Sequence, residues 1–278
     1  MTMSTSARRW LAIGGAVVVV AAVTTGLVLF FSGDEPDQVD AERALQQEQE
    51  GLPGLGEIQG ELETPLPFEE PDGEGPETGT EEPVAPEQPT TPRQPEDLDG
   101  RWVVDRSRPF DREEGRGTFA GYRIQEELSG VGNTTAVGRT PEVEGEVVFD
   151  GGTIVEAAVT ADLTELVSDD RRRDNRVRSQ LGPDARARFD LAGSIELPEV
   201  PPVGEVIELT VAGTLTLLDT SREVDVTLQA VVTDTGLLVT GSTDIVLSDY
   251  DIEVPSATIV LSVSDEATLE WQLFLVQE

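Results

Sequence analysis

Five arginines occupy the eight positions from Arg171 to Arg178 within SDDRRRDNRVRSQLGP, Ser168 to Pro183, of a chain whose formal net charge is -36. Guanidinium groups so clustered could read nucleic acid, hold a phosphate, touch an anionic membrane surface or simply solvate a helix. The surrounding charge narrows the choice. With 55 acidic residues against 19 basic ones, the net field repels phosphate polymers, and nucleic-acid binding is excluded. Every basic residue is an arginine, and the chain has no lysine, histidine or cysteine. Those absences remove Schiff-base lysines, imidazole general bases, thiol nucleophiles, zinc sites of the His/Cys type and disulfides. Acidic pairs abound, yet none stands apart as a catalytic dyad. No catalytic residue, metal site or cofactor is assigned, and any catalysis would rest on Asp, Glu, Ser, Thr, Tyr or Arg alone.

The spacing around the cluster predicts a short helix over 168–181. Asp169 or Asp170 stands where a carboxylate caps free amides, Gly182 is suited to the C-cap, and Pro183 blocks continuation. Arg173, Val177 and Leu181 follow one another at four-residue steps and share a stripe that should face the rest of the domain. Asp174 is placed to pair with Arg178 one turn on. Arg171, Arg172, Arg176 and Arg178 are expected in solvent. Arg173 alone leans inward, to meet either a carboxylate on a neighbouring strand or a ligand.

Composition divides the chain into zones. Trp10 to Phe31, WLAIGGAVVVVAAVTTGLVLFF, is a run of 22 residues without a charge, long enough as a helix of roughly 33 Å to cross a bilayer core. Arg8 and Arg9 precede it and Asp34, Glu35 and Asp37 follow, which puts residues 1–9 in the cytoplasm and the remainder outside. The reading is an uncleaved single-pass anchor, 10–31, in the cell membrane, with a cleaved signal peptide as the competing one. Residues 32–100 hold 21 Asp or Glu against Arg43 and Arg93, with many Pro and Gly. Such a segment has too little apolar surface to offset chain entropy and is expected as a disordered linker. Asp40 to Glu50, DAERALQQEQE, is a weak helix candidate within it. The folded domain is expected at 101–278.

That domain alternates apolar and polar residues with period two, the mark of antiparallel strands wet on one side. In TIVEAAVTADL, Val155, Ala157, Val159, Ala161 and Leu163 share a face. In IELTVAGTLTL, Leu209, Val211, Gly213, Leu215 and Leu217 do. REVDVTLQAVV places Val224, Val226, Leu228 and Ala230 together, and ATLEWQLFLVQ places Leu269, Trp271, Leu273 and Leu275 together. The short links DGGT, LDTSR, TDTG and VSDEA read as hairpin connections. Eight or nine strands, several of them long, suit a closed up-and-down barrel. Inward Val155, Val159, Leu163, Leu209, Val211, Leu215, Leu228 and Trp271 are the candidate pocket lining, if the barrel is hollow rather than packed with its own side chains. Phe119 and Tyr122 could line the same space, but GTFAGYRI alternates ambiguously.

In order, RWVVDRSRPF, GRGTFAGYRIQEEL, TAVGRTPEVEGEVVFDGGTI, RRRDNRV, ARARFDLAG, LTVAGTLTLLDTSREVDVTLQA, SDYDI and ATIVLSVSDEATLEWQLFL resemble the YceI-like family of polyisoprenoid-binding proteins. YRIQEEL and TAVGRT resemble the form found in membrane-anchored actinobacterial members. The resemblance implies an all-β, extended lipocalin-like barrel with a short helix and an elongated pocket for an isoprenoid chain. It also implies a family without established catalysis. Where family members read Gly-Val-Thr-Lys, this chain has LDTSREV with Arg222, and the histidine often seen in the first strand region is missing. On that footing Arg173 becomes a candidate contact for a quinone carbonyl or a phosphate headgroup. The expected function is therefore that of an extracytoplasmic, membrane-anchored protein holding a hydrophobic lipid. The alternative is a non-catalytic envelope module with a solid core, acting through its linker and surface.

Overall fold

The computed structural model describes residues 35–50, 98–130, 132–197, 199–254 and 260–278. Its strands, in chain order, are β1 (Gly100–Val104), β2 (Phe119–Leu128), β3 (Gly132–Thr140), β4 (Val143–Asp150), β5 (Thr153–Asp162), β6 (Arg186–Leu191), β7 (Ile195–Glu196), β8 (Val206–Leu217), β9 (Thr220–Val232), β10 (Leu237–Val246) and β11 (Val260–Gln277). Two helices accompany them, α1 (Ala41–Glu50) and α2 (Arg171–Leu181). β1 pairs with β4 on one side and with the C-terminal end of β11 on the other. The antiparallel ring β1-β4-β5-β6-β8-β9-β10-β11 is therefore closed at eight strands, as alternation and strand length predicted. The β2–β3 hairpin continues the sheet from the earlier part of β11, and β7 adds to β5.

Tight connections follow the sequence in three places. Gly151 and Gly152, both at positive φ, turn β4 into β5. Leu218 and Asp219 join β8 to β9, with Leu218 itself at φ 54°. Residues 233–236 join β9 to β10. VSDEA is not a turn. β11 runs straight through it, and the strand pairs Glu266 with Val246 of β10 while Ser264 to Glu266 bulge away from β2. A polar cluster that reads as a turn is thus absorbed as an irregularity against one neighbour only. Asp265 uses the position to accept hydrogen bonds from the Ser248 amide at 3.0 Å and its hydroxyl at 2.6 Å.

Two apolar clusters occupy the inside. Trp102, Val104, Val143, Phe149, Leu237, Leu273 and Leu275 pack at one end, where Trp102 Nε1 donates to the Leu98 carbonyl at 2.8 Å. Leu215, Leu217, Ile245, Tyr250 and Ala267 form the other.

The expected linker does not begin where composition placed it. Residues 35–50 lie against the outside of the barrel, and α1 buries Ala41 and Ala44 on Val231, Leu238 and Phe274. Asp40 starts this helix by accepting from the Arg43 amide at 3.0 Å, the capping that acidic residues supply. Residues 32–34 and 51–97 of the expected linker lie outside the described residues, and its last residues already belong to the barrel, with Leu98 buried and Gly100 opening β1. The expected membrane placement is also corrected. Among the described residues no helix is long and apolar enough to cross a membrane, and Trp10–Phe31, on which that expectation rested, lies outside them.

Candidate ligand-binding site

The space between the two clusters is a cavity of about 590 Å³, within the range that small-molecule sites occupy. β11 lines it from Val263 to Leu275, so it extends along most of that strand. Aromatic rings lie against the wall rather than across the lumen because glycine makes room for them. The Tyr122 ring covers Gly138, its partner on β3, and the Trp271 ring covers Gly241, its partner on β10. The Phe189 ring covers Gly213 in the same way, and a Cβ at any of the three glycines would collide with the ring. Small residues set flat rings aside and keep the interior hollow.

Val159, Leu163, Leu209, Val211, Leu215, Leu228 and Trp271 all line this cavity. Val155 does not. β5 carries a bulge opposite Val148 and Phe149, so Ile154 and Ala157 point inward while Val155 is 43% exposed. One inserted residue shifts the parity of everything before it. Phe119 is likewise outside, stacked 4.4 Å beneath the Arg139 guanidinium, whereas Tyr122 faces the lumen.

The polar part of the lining is concentrated at one end. Glu126, Asp170, Arg172, Arg173, Arg176, Gln180 and Glu253 converge there, and exposed Arg172, Arg176, Gln180 and Glu253 mark it as the mouth. α2 crosses it. Asp170 caps the helix by accepting from the Arg172 amide at 2.7 Å, and Gly182 ends it at φ 93°. Gln180 ties the helix to the Glu253 carbonyl on the far side of the opening. Arg173, Val177 and Leu181 all turn toward the cavity. Asp174 does not pair with Arg178. It is buried and accepts from the Ser168 amide at 2.9 Å and hydroxyl at 2.6 Å, holding the turn before the helix, while Arg178 Nη2 donates to the Leu166 carbonyl at 3.1 Å.

Arg173 meets carboxylates. Its Nη2 donates to Glu126 of β2 at 2.5 Å and its Nη1 to Asp169. Burial opposes the guanidinium charge, but Glu126 and Asp169 outweigh it and its pKa is raised. Tyr122 lies in the same electrostatic neighbourhood. Burial is the main reason its phenol is pushed up to about 12, with Arg173 opposing and Asp174 and Glu126 reinforcing. Glu126 had a signal in the sequence that went unused: Ile124, Glu126 and Leu128 share the inward parity of β2. A carboxylate at an inward position of an otherwise apolar strand asks for a cation, and Arg173 is that cation.

Residues 117–275, more than half of the chain, match the family model described as the YceI-like domain. No curated protein sequence matches. Among solved structures, a polyisoprenoid binding domain from Saccharophagus degradans implicated in plant cell wall breakdown is 17% identical with a TM-score of 0.49, over 64% of this chain and 98% of that one. BcnA from Burkholderia cenocepacia is 17% identical with a TM-score of 0.42, over 56% and 94%. A Campylobacter jejuni YCEI protein is 16% identical with a TM-score of 0.36, over 51% and 84%.

Proposed function

The chain belongs to the YceI-like domain family, and from that premise we propose that it is a non-catalytic binding protein holding one hydrophobic, isoprenoid-like chain in the barrel lumen. The observation that carries this reading is the hollow, mainly apolar interior of about 590 Å³ with most of its polar groups gathered at one mouth. An apolar tail buried among Val159, Leu209, Val211, Leu215, Leu228 and Trp271 would gain about 0.8 kcal/mol per methylene. The polar end of the ligand would then lie by Tyr122 of β2 and Arg173 of α2, polar side chains that face the lumen at the mouth. An envelope module with a solid core, the alternative left open by the sequence, is disfavoured by the same cavity.

Trp271 provides the test, since its ring forms part of the lumen wall. Titrating the full chain with geranylgeraniol should change the tryptophan emission saturably at one ligand per chain. The variant Ala157→Trp, which fills the lumen from β5, should show no such saturation while keeping the β-sheet circular dichroism of the parent. Equal binding by the parent and the filled variant would overturn the reading.

A further inference from the structure

Outside the barrel a second recognition surface is built from charge. Glu270 on β11 is 2% exposed and lies between two arginines, accepting from Arg123 Nε at 2.7 Å and Arg139 Nε at 2.8 Å. Arg139 is 1% exposed and Arg123 5%. One carboxylate between two buried guanidiniums leaves a positive charge to be answered, because an uncompensated buried charge is strongly unfavourable. Arg139 Nη1 donates to the Arg112 carbonyl at 3.2 Å, and the other acceptors come from the N-terminal segment. Glu35 pairs with Arg123 Nη1 at 2.8 Å, the Pro36 carbonyl accepts from Arg123 Nη2, and the Asp37 carbonyl accepts from Arg139 Nη2 at 2.8 Å. Farther along, the Ala41 amide donates to Gln229 at 3.0 Å, Gln47 donates to the Glu114 carbonyl at 2.8 Å, and Glu48 pairs with Arg108 at 2.8 Å.

The apolar part of this contact is small on the segment's side and large on the wall's. α1 offers Ala41, Ala44 and, less deeply, Leu45, against Val231, Leu238 and Phe274. Alanine methyls bury little area, so the docking free energy rests mainly on the charged and hydrogen-bonded contacts. The fit is also imperfect, for Glu48 Oε2 is buried without a hydrogen-bond partner, which works against docking. The wall thus has the chemistry of a peptide site, and the segment has that of a ligand that can leave it.

We infer that the outer wall formed by β9, β10, β11, β2 and β3 is a recognition site for an acidic, alanine-faced helical segment, which residues 35–50 of the same chain occupy reversibly. The site lies on the outer face of strands whose inner face lines the lumen, and Val231 and Glu270 border both. In the full chain carrying Ala44→Glu, the segment's own seat is blocked while the barrel sequence is untouched. An acetylated, fluorescent peptide of residues 35–50 should bind this variant saturably by anisotropy, and should bind the parent chain at least about tenfold more weakly because the tethered copy competes. Replacing both Glu35 and Glu48 by Gln in the peptide should weaken its binding to the variant. Absence of peptide binding by a folded Ala44→Glu chain, equal binding by parent and variant, or failure of that variant to fold would each overturn the inference. So would a parent dimer in sedimentation that Ala44→Glu dissolves, since the occupant would then be the segment of a second copy.

Discussion

Tyr122 and Arg173 show how the mouth combines an apolar surrounding with polar function. The phenol is held up at about 12, first by burial. Between the ordinary value near 10 and about 12, the unfolded chain loses its proton while the folded one keeps it, so stability falls as pH rises through that window. Tyr122→Phe should flatten this slope in urea unfolding measured at successive alkaline pH values. Arg173 and Glu126 form an ion pair in which Glu126 is 7% exposed. Arg173→Leu should destabilise the domain by roughly 3 kcal/mol by stranding that carboxylate. Adding Glu126→Leu should recover most of the loss, and a double-mutant cycle in urea measures both. The helical step from Arg173 to Leu181 made the inward turn of this arginine legible in the sequence. A carboxylate on a neighbouring strand was one of the two partners expected for it, and the inward parity of Glu126 marked a candidate. That the two meet was not legible, because β2 is distant in sequence and pairing across a barrel is fixed by register.

Elements obeyed local rules where the rules had no competitor. The cap of α2 is Asp170 and its end is Gly182, both readable from residue type. Asp170→Ala should lower stability by about 1 kcal/mol, the usual worth of such a cap, as a shift in urea midpoint with unchanged m-value. Two strand readings failed for one physical reason, that a bulge is invisible to period-two counting. In β5 it sends Val155 outward and Ile154 inward. In β11 it hides inside Ser264 to Glu266, a run polar enough to read as a turn. For residues 35–50 the helix candidate at Asp40–Glu50 matches α1, and what failed was the reading of the segment as linker. Their average composition is that of a solvated linker, but Ala41, Ala44 and Leu45 form a narrow apolar stripe, and the arginines that meet the segment, Arg108, Arg123 and Arg139, lie in the β1–β2 connection, β2 and β3. Composition cannot see a partner that far along the chain.

For the molecule as a whole, closure of eight strands removes the edges of the ring, β3 and β7 remaining as edge strands beside it, and leaves a lumen that its side chains do not fill. The barrel was legible from alternation and strand length, and its hollowness was not, since that depends on rings lying over Gly138, Gly213 and Gly241. If the lumen binds an apolar chain, affinity should rise with chain length from geraniol through farnesol to geranylgeraniol in a Trp271 emission titration. It should also stay flat from about pH 6 to pH 9, because the chain has no histidine to titrate there. The most direct measurement is mass spectrometry of the organic-solvent extract of the full chain, purified without detergent from cells that make polyprenyl lipids. The lumen as described should yield one isoprenoid or similarly apolar lipid in near-stoichiometric amount, and Ala157→Trp should yield none. A parent protein whose extract is empty, and which takes up no polyprenyl alcohol when offered one, would contradict the account.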